Sequence, residues 1–559
     1  MPNFILQLFR FLFAPLATWL NRLLGKRVYW LLAILLSLLA VVDLHYVHYT
    51  SGMSKTTFDM MMRNRLLTPA ADPEIVIVDI DEASLSAMAK EYGRWPWPRQ
   101  VLAEFVENIE QHQPKAVVFD ILFSDPDVFN ADSDAYFDAV IGKSTNTYFP
   151  MLRLPSESDA QSQLTPAMLP GAQPIPGLAQ ADKTIAMIMP FFRSVMEGGR
   201  LGTHNIYVEG DSIARRYIVQ RNEYGWRVPS LPARVVSDLG IALPEGQDML
   251  LNWRGKPFSF RTVSFADVYL DSLNAQRKRP ANEFAGKIVI IGSTAPSLFD
   301  IKATPMALLH PGVEILATAV DNLKNRDYLK EQPVWVTVVI STLFIWAAAL
   351  AFYYRKADSS FDEIFAGVQF AVLALSYGVL NLSSWYIDMT VPVAMALLYF
   401  SVARSYAFFC DEIMLEGLLF KVGPRAEQRV RFDILVCQRQ SMTGKAVKRF
   451  EERLIDLLEA SRANVRRASC FTDNNGLFAR LFEDTLILYW VTEQGKLETE
   501  VDADIARLRT ALTSNAHQVG GSVAYYQRRT ALTGTADDSW KQVARQTIAQ
   551  TILEAQTTR

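Results

Sequence analysis

The sequence predicts a membrane protein with two α/β domains, one on each side of four transmembrane helices. Three observations support this fold class. Apolar residues are concentrated in four blocks, one before residue 50 and three between residues 333 and 410. Short β-branched runs alternate with helical patterns between residues 50 and 332. A charged segment with a second α/β pattern follows residue 431.

The composition of the 559-residue chain predicts several domains and excludes some classes of function. Lys and Arg total 56 against 59 Asp and Glu, and no long basic run occurs, so we expect no nucleic-acid partner. The three cysteines are Cys410, Cys437 and Cys470, which excludes a disulfide scaffold.

The apolar blocks are long enough to cross a bilayer, which takes about 20 residues of helix. The first block, Val28–Val42, extends toward Tyr49 and lacks a following small-residue cleavage site, so we predict a transmembrane helix at 28–49 rather than a signal peptide. Three further helices are predicted within 333–410, at 334–354, 364–387 and 389–403.

Basic residues orient these helices by the positive-inside rule. They predict cytoplasmic N- and C-termini and an external domain at 50–332. Residues 1–27 form a cytosolic amphipathic segment, in which Arg10 and Pro15 interrupt the apolar stretch 4–20 and favour an interfacial helix. The alternative, a fifth crossing, would invert the topology. The orienting residues are Arg22, Lys26, Arg27, Arg355, Lys356, Arg404 and Lys421.

The external segment carries three runs typical of strands buried on both faces, at 75–80, 116–123 and 287–292. Helical periodicity at 83–90 and 100–111 lies between the first two runs. We therefore predict an α/β domain with a parallel sheet and helices outside it.

Polar residues stand at the carboxyl ends of these predicted strands, where ligands bind in open α/β sheets. Alternatively, the same residues cap helices and close turns. We name five of them as candidate ligand-binding residues, and Ser124 shares their position. The five candidates are Asp79, Asp81, Asp120, Ser293 and Thr294.

Residues 93–99 (GRWPWPR) place two Trp between Pro residues. Proline fixes the backbone and the Trp rings can cover the sheet, so a structural plug is favoured over an exposed aromatic ligand face.

Four blocks of the external segment resemble the CHASE2 family of extracytoplasmic sensor domains. They are VDIDEASL with GRWPWPR (78–85, 93–99), KAVVFDILFSDPD (115–127), GKIVIIGSTAPSLFDIKATP (286–305) and PGVEILATAVDNL (311–323). Leu316 stands where the family often has His. The resemblance implies a sensory module for an unknown extracytoplasmic ligand, in the periplasm of a bacterial inner membrane.

The C-terminal segment follows the last membrane helix through a predicted linker helix at 411–431. Its domain, at 432–559, is predicted to contain a strand at 432–437, a helix at 447–463, a hairpin at 478–490, a helix at 502–512, a strand at 521–526 and a final helix from Ser539. This order suits a small α/β sandwich of the ferredoxin-like type.

Three stretches of this domain are similar to the class III nucleotide cyclase catalytic domain. LVCQRQSMT (435–443) has Gln438 at the position of a metal-binding Asp. RLFED (480–484) has Arg480 in place of Lys, Glu483 in place of Gly, and retains Asp484. WKQVAR (540–545) has Lys541 in place of Asn and retains Arg545.

The resemblance implies a degenerate domain. A cyclase of this class needs two carboxylates for two divalent ions, and the neutral Gln438 is a poor ligand for Mg²⁺ or Mn²⁺. We therefore expect loss of catalysis and no cofactor; if the domain is active, Asp484 would bind Mg²⁺ or Mn²⁺, and Arg480 and Arg545 would be catalytic. Alternatively, Asp484 forms a turn and Arg545 is a surface charge. A degenerate diguanylate cyclase, with FEDT at the hairpin, is a second possible relative.

The expected function is that of a transmembrane receptor passing an external cue to a non-catalytic cyclase-like domain. The expected partners are the lipid bilayer, a second copy of the chain, and either a second cyclase subunit or a cytosolic protein. Two alternatives stay open: an active adenylate cyclase with an altered metal site, and an envelope binding or assembly module with a structural inner domain.

Overall fold

The structure is a computed structural model. It describes residues 23–354 and 359–417, and in the C-terminal part residues 428–440, 442, 446, 449–450, 453–454, 457–458, 461–467, 485–493, 497–533 and 539–557. The segment 4–20, Arg480, Glu483 and Asp484 lie outside the described residues.

The described residues contain fourteen α-helices. They are α1 (Val28–Val42), α2 (Ser51–Arg63), α3 (Glu82–Tyr92), α4 (Arg99–Glu110), α5 (Ala131–Ile141), α6 (Arg193–Gly198), α7 (Leu231–Asp238), α8 (Phe265–Leu273), α9 (Gly312–Asn325), α10 (Val334–Tyr353), α11 (Ser359–Leu382), α12 (Thr390–Gly417), α13 (Glu498–Gln518) and α14 (Ser539–Thr557). A π-helix, Asp43–Val47, extends α1.

The strands of the same residues are β1 (Ile75–Asp79), β2 (Ala116–Phe119), β3 (Thr147–Arg153), β4 (Gln173–Pro174), β5 (Met187–Ile188), β6 (Leu201–Thr203), β7 (Arg216–Ile218), β8 (Gln220–Glu223), β9 (Trp226–Pro229), β10 (Asp248–Leu250), β11 (Arg261–Ser264), β12 (Ile288–Gly292), β13 (Ile301–Lys302), β14 (His310–Pro311), β15 (Lys330–Glu331), β16 (Trp385–Tyr386), β17 (Arg429–Gln440), β18 (Asn464–Arg467), β19 (Thr485–Glu493) and β20 (Ser522–Thr533).

The chain divides into two compact units. The unit that contains residues 48–337 and 372–391 is built on one sheet in the order β11-β1-β12-β2-β3-β5, with β6 also paired to β3. Pairing is parallel from β11 to β3 and antiparallel at β5. The three predicted central strands thus form β1, β12 and β2 of a parallel sheet, as their apolar runs indicated.

Alternation along the strands gives this sheet two buried faces. Val76 and Val78 face a core covered by α3, α4, α5 and α8, whereas Ile75 and Ile77 face a core covered by α2, α7 and α9. Successive side chains of a strand point to opposite faces, so one strand supplies both cores.

Two apolar stretches are not the elements that the sequence predicted. The strand predicted at 116–123 ends at Phe119, and Phe123 returns from the following loop to pack against Phe119 and Phe137. The helix predicted to reach residue 387 ends at Leu382, and Tyr386 packs against Phe58 of α2. Phe123 is apolar because its loop covers a core, and Tyr386 because the short strand β16 is packed against α2. A sequence pattern does not distinguish such buried residues from a longer strand or helix.

Three helices among the described residues are long and apolar enough to cross a membrane: Gly25–Val47, Val334–Tyr353 and Phe361–Leu382. The next helix, α12, is one continuous element of 28 residues. It contains the predicted crossing at 389–403 and the start of the predicted linker helix, as far as Gly417.

The C-terminal part of the other unit contains an antiparallel sheet in the order β18-β19-β17-β20. One face packs on α14 through Trp540, Ile548 and Ile552, and the other on α13 through Val501 and Leu508. The strand β19 extends to Glu493, beyond the predicted hairpin, and pairs with β18 at 464–467; the first half of that hairpin lies outside the described residues.

Candidate functional site

The carboxyl edge of the parallel sheet carries a set of buried polar side chains. Asp79, the last residue of β1, is one of them: the Thr294 amide donates to its Oδ1 at 2.8 Å and the Thr294 hydroxyl donates to its Oδ2 at 2.5 Å. Burial outweighs these hydrogen bonds and, with Asp81 and Glu314 nearby, raises the pKa of Asp79. Asp79 therefore ties the end of β1 to the loop after β12.

Three of the other predicted polar residues bond within the protein, two of them to neighbours within three residues and Ser293 to Ile80, 213 residues away. Asp81 is the N-cap of α3, because its Oδ1 accepts from the Ser84 amide at 2.6 Å. The Ser293 hydroxyl donates to the Ile80 carbonyl oxygen at 2.7 Å, and that of Ser124 to Asp125 at 2.7 Å. These contacts fit the capping and turn-closing interpretation.

Asp120 belongs to a different arrangement. Its Oδ1 lies 2.6 Å from Nε2 of His204, and their side chains are only 4% and 11% exposed. The Nδ1 atom of His204 lies 2.8 Å from the Tyr217 hydroxyl. The second carboxylate oxygen of Asp120 is buried and has no hydrogen-bond partner among the described residues. A buried acceptor without a donor is uncommon and is a candidate for binding.

Asp300 completes this group, which we call the acidic cluster: Asp120, His204, Tyr217, Asp300 and Lys302. Burial and the neighbouring Asp120 raise the pKa of Asp300 to about 6. Burial alone would lower the pKa of His204, but Asp120 and then Asp300 outweigh it and raise that pKa.

Glycine at the start of α9 makes room for the Asp300 side chain. The Gly312 amide donates to the Asp300 carbonyl oxygen at 2.9 Å. A Cβ added at Gly312 would collide with the Asp300 carboxylate. The carboxylate therefore lies directly against the N-terminus of α9.

A second polar pair lies within the same helix end. Nε2 of His310 lies 3.3 Å from Oε2 of Glu314, which also accepts from the Phe258 amide at 2.7 Å. Both side chains are buried, and within the described part of the chain the other Glu314 oxygen lacks a partner. The first turn of α9 thus has acidic groups on two sides.

The sequence analysis missed His204, Asp300, Glu314 and His310. Asp300 and His310 lie far from any predicted strand end, and His204 follows the short strand β6, whose pattern was not recognised. Asp300 and Glu314 did carry a signal, because they fall inside the blocks 286–305 and 311–323 that resemble CHASE2.

The GRWPWPR segment is consistent with the plug interpretation. Trp97 is fully buried in the core on one face of the sheet, where its ring packs against Phe265 and Trp95. The Trp95 ring packs partly against the same core.

Metal binding has no support in the part of the chain that the structure describes, where no group of three or more His, Cys, Asp or Glu side chains could hold a metal ion.

Gly292 is a sensitive point of this edge. A Cβ there would lie 2.6 Å from Cγ2 of Val313 and 3.0 Å from Cβ of Asp120. We expect Gly292→Ala to destabilise the domain by about 1–3 kcal/mol, because overpacking displaces α9 from the sheet. Pulse proteolysis in urea would measure it. The control is Gly52→Ala, where a Cβ would meet open space, and we expect no loss of stability from it. Equal urea midpoints for the two variants would contradict the close packing at Gly292.

In the C-terminal domain, Gln438 is buried in β17, between Thr485 of β19 and Ala524 of β20. Arg545 is exposed on α14. The one carboxylate in β17, Asp433, is fully buried and accepts from Arg431 at 2.6 Å and Arg529 at 2.8 Å, so these cations already occupy it. Arg480 and Asp484, which were predicted to act with Arg545 if the domain is active, lie outside the described residues.

Comparison with known proteins identifies one family. The CHASE2 domain family matches residues 31–353, which is more than half of the chain. A search of curated proteins and a search of solved structures found no match. The matched segment contains the parallel sheet, the acidic cluster and Gly312, and the four sequence blocks that resemble the family all lie within it. The chain therefore belongs to the CHASE2 domain family, whose members are extracytoplasmic sensor domains of membrane receptors.

Proposed function

We propose that this chain is a receptor of the bacterial inner membrane, with its CHASE2 domain in the periplasm and both termini in the cytoplasm. The observation that carries the proposal is the acidic cluster at the carboxyl edge of the sheet, where Asp120 keeps a buried oxygen without a partner among the described residues. Open α/β sheets bind ligands at this edge.

Four crossings are supported by contacts of α12. Nη2 of Arg404 in α12 lies 2.6 Å from Oδ2 of Asp362 in α11. The Tyr399 hydroxyl of α12 donates to the carbonyl oxygen of Tyr29 in α1 at 3.1 Å. Polar contacts of this kind stabilise helix association in a bilayer. We therefore count α12 as the fourth crossing, beside the three apolar helices.

Helix α2 offers a route for transmitting a signal. Its Asp59 is held by Arg215, just before β7, at 2.7 and 2.8 Å. Its Phe58 ring packs against Tyr386, which follows α11. The amides of Leu66 and Leu67, just after α2, donate to the Asn381 side chain in α11 at 2.7 and 3.0 Å. Helix α2 covers one core of the parallel sheet, and it and the residues after it contact the chain before β7 and the end of α11.

For the inner domain we propose a ferredoxin-like fold and a degenerate class III cyclase function without catalysis. The antiparallel order β18-β19-β17-β20 supports this fold. Along the sheet, the second strand of the domain is followed by the third, the first and the fourth, as in the ferredoxin-like topology. The buried neutral Gln438 supports the loss of catalysis, because a hard divalent cation needs carboxylate oxygens. The domain would then act through dimerisation or through contact with a cytosolic protein.

A nucleotide assay on the full-length protein tests this part of the proposal. We expect no cyclic nucleotide from ATP or GTP with Mg²⁺ or Mn²⁺. If turnover is found and Asp484→Ala abolishes it, the domain is an active cyclase with an altered metal site. The second arm expresses the chain without residues 424–559 in cells that lack the full-length protein. If the shortened chain restores the phenotype of these cells fully, the envelope-module alternative is supported and the receptor proposal fails.

Protease accessibility tests the topology. In intact spheroplasts, added protease should cut the 50–332 domain and spare the 432–559 domain, which should become sensitive only after the membrane is disrupted. The reverse order would overturn the proposed orientation and would fit a fifth crossing at 4–20.

A further inference from the structure

We propose that the CHASE2 domain of this chain senses protons, through uptake of a proton by the acidic cluster at the N-terminus of α9. This inference rests on the proposed sensory function and names its cue. It follows from the placement of Asp120, His204 and Asp300. The family match gives these three residues no common role.

The charges around Asp300 come from several elements. Asp120 follows β2, His204 follows β6, Tyr217 lies in β7 and Lys302 in β13. On the other side of the first turn of α9 lie Asp79 at the end of β1, and the pair Glu314 and His310 from α9 and β14. With His204 and Lys302 charged, two cations face two carboxylates of the cluster while Asp300 is ionised.

Protonation of Asp300 changes this balance in a definite direction. It removes the repulsion between Asp300 and Asp120, and it adds a hydroxyl donor to a cluster in which one buried Asp120 oxygen has no donor within the described residues. Among the described residues, no hydrogen bond to the Asp300 carboxylate is formed. The carboxylate fits beside Gly312 because residue 312 lacks a Cβ.

Helix α9 is the element that would respond. It begins at the cluster, is buried along nearly its whole length, and leads through β15 directly into the membrane helix α10. A change at its first turn therefore has a continuous covalent path to α10.

The sign follows from linkage between proton binding and folding. Because the pKa of Asp300 is raised to about 6, the folded domain binds this proton more tightly than the unfolded chain does. Local stability of the α9 N-terminus should rise as pH falls through about 6 and be lowest above it. Protonation of His204, whose pKa is also raised, acts in the same direction.

Hydrogen exchange of the full-length protein in detergent, corrected for the intrinsic pH dependence, tests the proposal on residues 312–325. We expect slower exchange at pH 5 than at pH 7.5 in the wild type. The pKa of Asp300 rises from 3.8 to about 6 on folding, and each unit of pKa corresponds to a factor of ten. Asp300→Asn, which cannot ionise, should therefore exchange more slowly than the wild type, by up to about a hundredfold at pH 7.5 and by less at pH 5. The matched control Asp182→Asn, at an exposed Asp of the same domain, should follow the wild type throughout.

A second variant keeps the test independent of one substitution. Lys302 lowers the pKa of Asp300, so Lys302→Met should move the midpoint of the exchange profile to higher pH. If Asp300→Asn exchanges like the wild type at both pH values, or if the midpoint of Lys302→Met is unchanged, the proposal is overturned. The protease experiment decides the receptor topology separately, because exchange on the purified protein does not depend on orientation.

Discussion

Arg215→Met should destabilise the CHASE2 domain by about 3–5 kcal/mol, because removing one partner of a buried ion pair leaves the other charge uncompensated. The Arg215 side chain is 3% exposed and bonds Asp59, Glu209 and Asp211. These carboxylates raise the pKa of Arg215 despite its burial, so it is charged at every accessible pH. Pulse proteolysis of the full-length protein in urea would measure the loss as a lowered midpoint.

The matched control is Arg193→Met. Arg193 is 84% exposed and pairs with Glu197 one helical turn away, a surface arrangement that contributes little to stability. We expect an unchanged midpoint. Equal midpoints for the two variants would show that Asp59 is solvated, which would remove the anchor of α2 and the proposed transmission route with it.

Phe119→Ala should cost about 3–5 kcal/mol, the range for truncating a buried aromatic ring. Phe119 is fully buried, stacks on Phe149 with ring centroids 5.1 Å apart, and contacts Phe123 and Phe137 edge-on. Since Phe119 ends β2 directly before Asp120, the cavity should also disturb the acidic cluster. We therefore expect the pH dependence of exchange in 312–325 to weaken along with the urea midpoint.

Phe129→Ala is the control for that substitution. Phe129 is 98% exposed on the loop after β2, so it loses no buried contact on truncation. Its free energy of unfolding should lie within about 0.5 kcal/mol of the wild-type value. A comparable loss in Phe129→Ala would mean that the loop is packed in solution and that aromatic burial at Phe119 is not the cause.

Much of the outer domain could be predicted from local sequence. The strands β1 and β12 and the helices α3 and α4 lie within two residues of their predicted bounds, because β-branched runs and helical spacing are strong local signals. The errors fall where apolar residues outside the main elements are buried, as at Phe123 in a loop and Tyr386 in the two-residue strand β16. Hydrophobicity reports burial, and only backbone pairing tells a strand from a loop that covers a core.

The candidate site was predictable only in part. Asp79, Asp120 and Thr294 stand at strand ends, so their position at one sheet edge follows from parallel pairing. His204 and Asp300 join them from segments about 84 and 180 residues beyond Asp120. Their contact depends on β6 pairing with β3 and on the path of the chain between β12 and α9, neither of which leaves a mark in local composition.

The sequence by itself determined the membrane character, the α/β class of both domains and the CHASE2 resemblance, because these rest on composition, periodicity and contiguous motifs. Only the tertiary structure decided which polar side chains are caps and which share a charged cluster. Asp81 and Asp120 look alike in sequence, yet one satisfies a helix end through a neighbour three residues away and the other is buried beside His204. The difference is physical: a cap is a local interaction, whereas a buried polar cluster needs residues that only folding brings together.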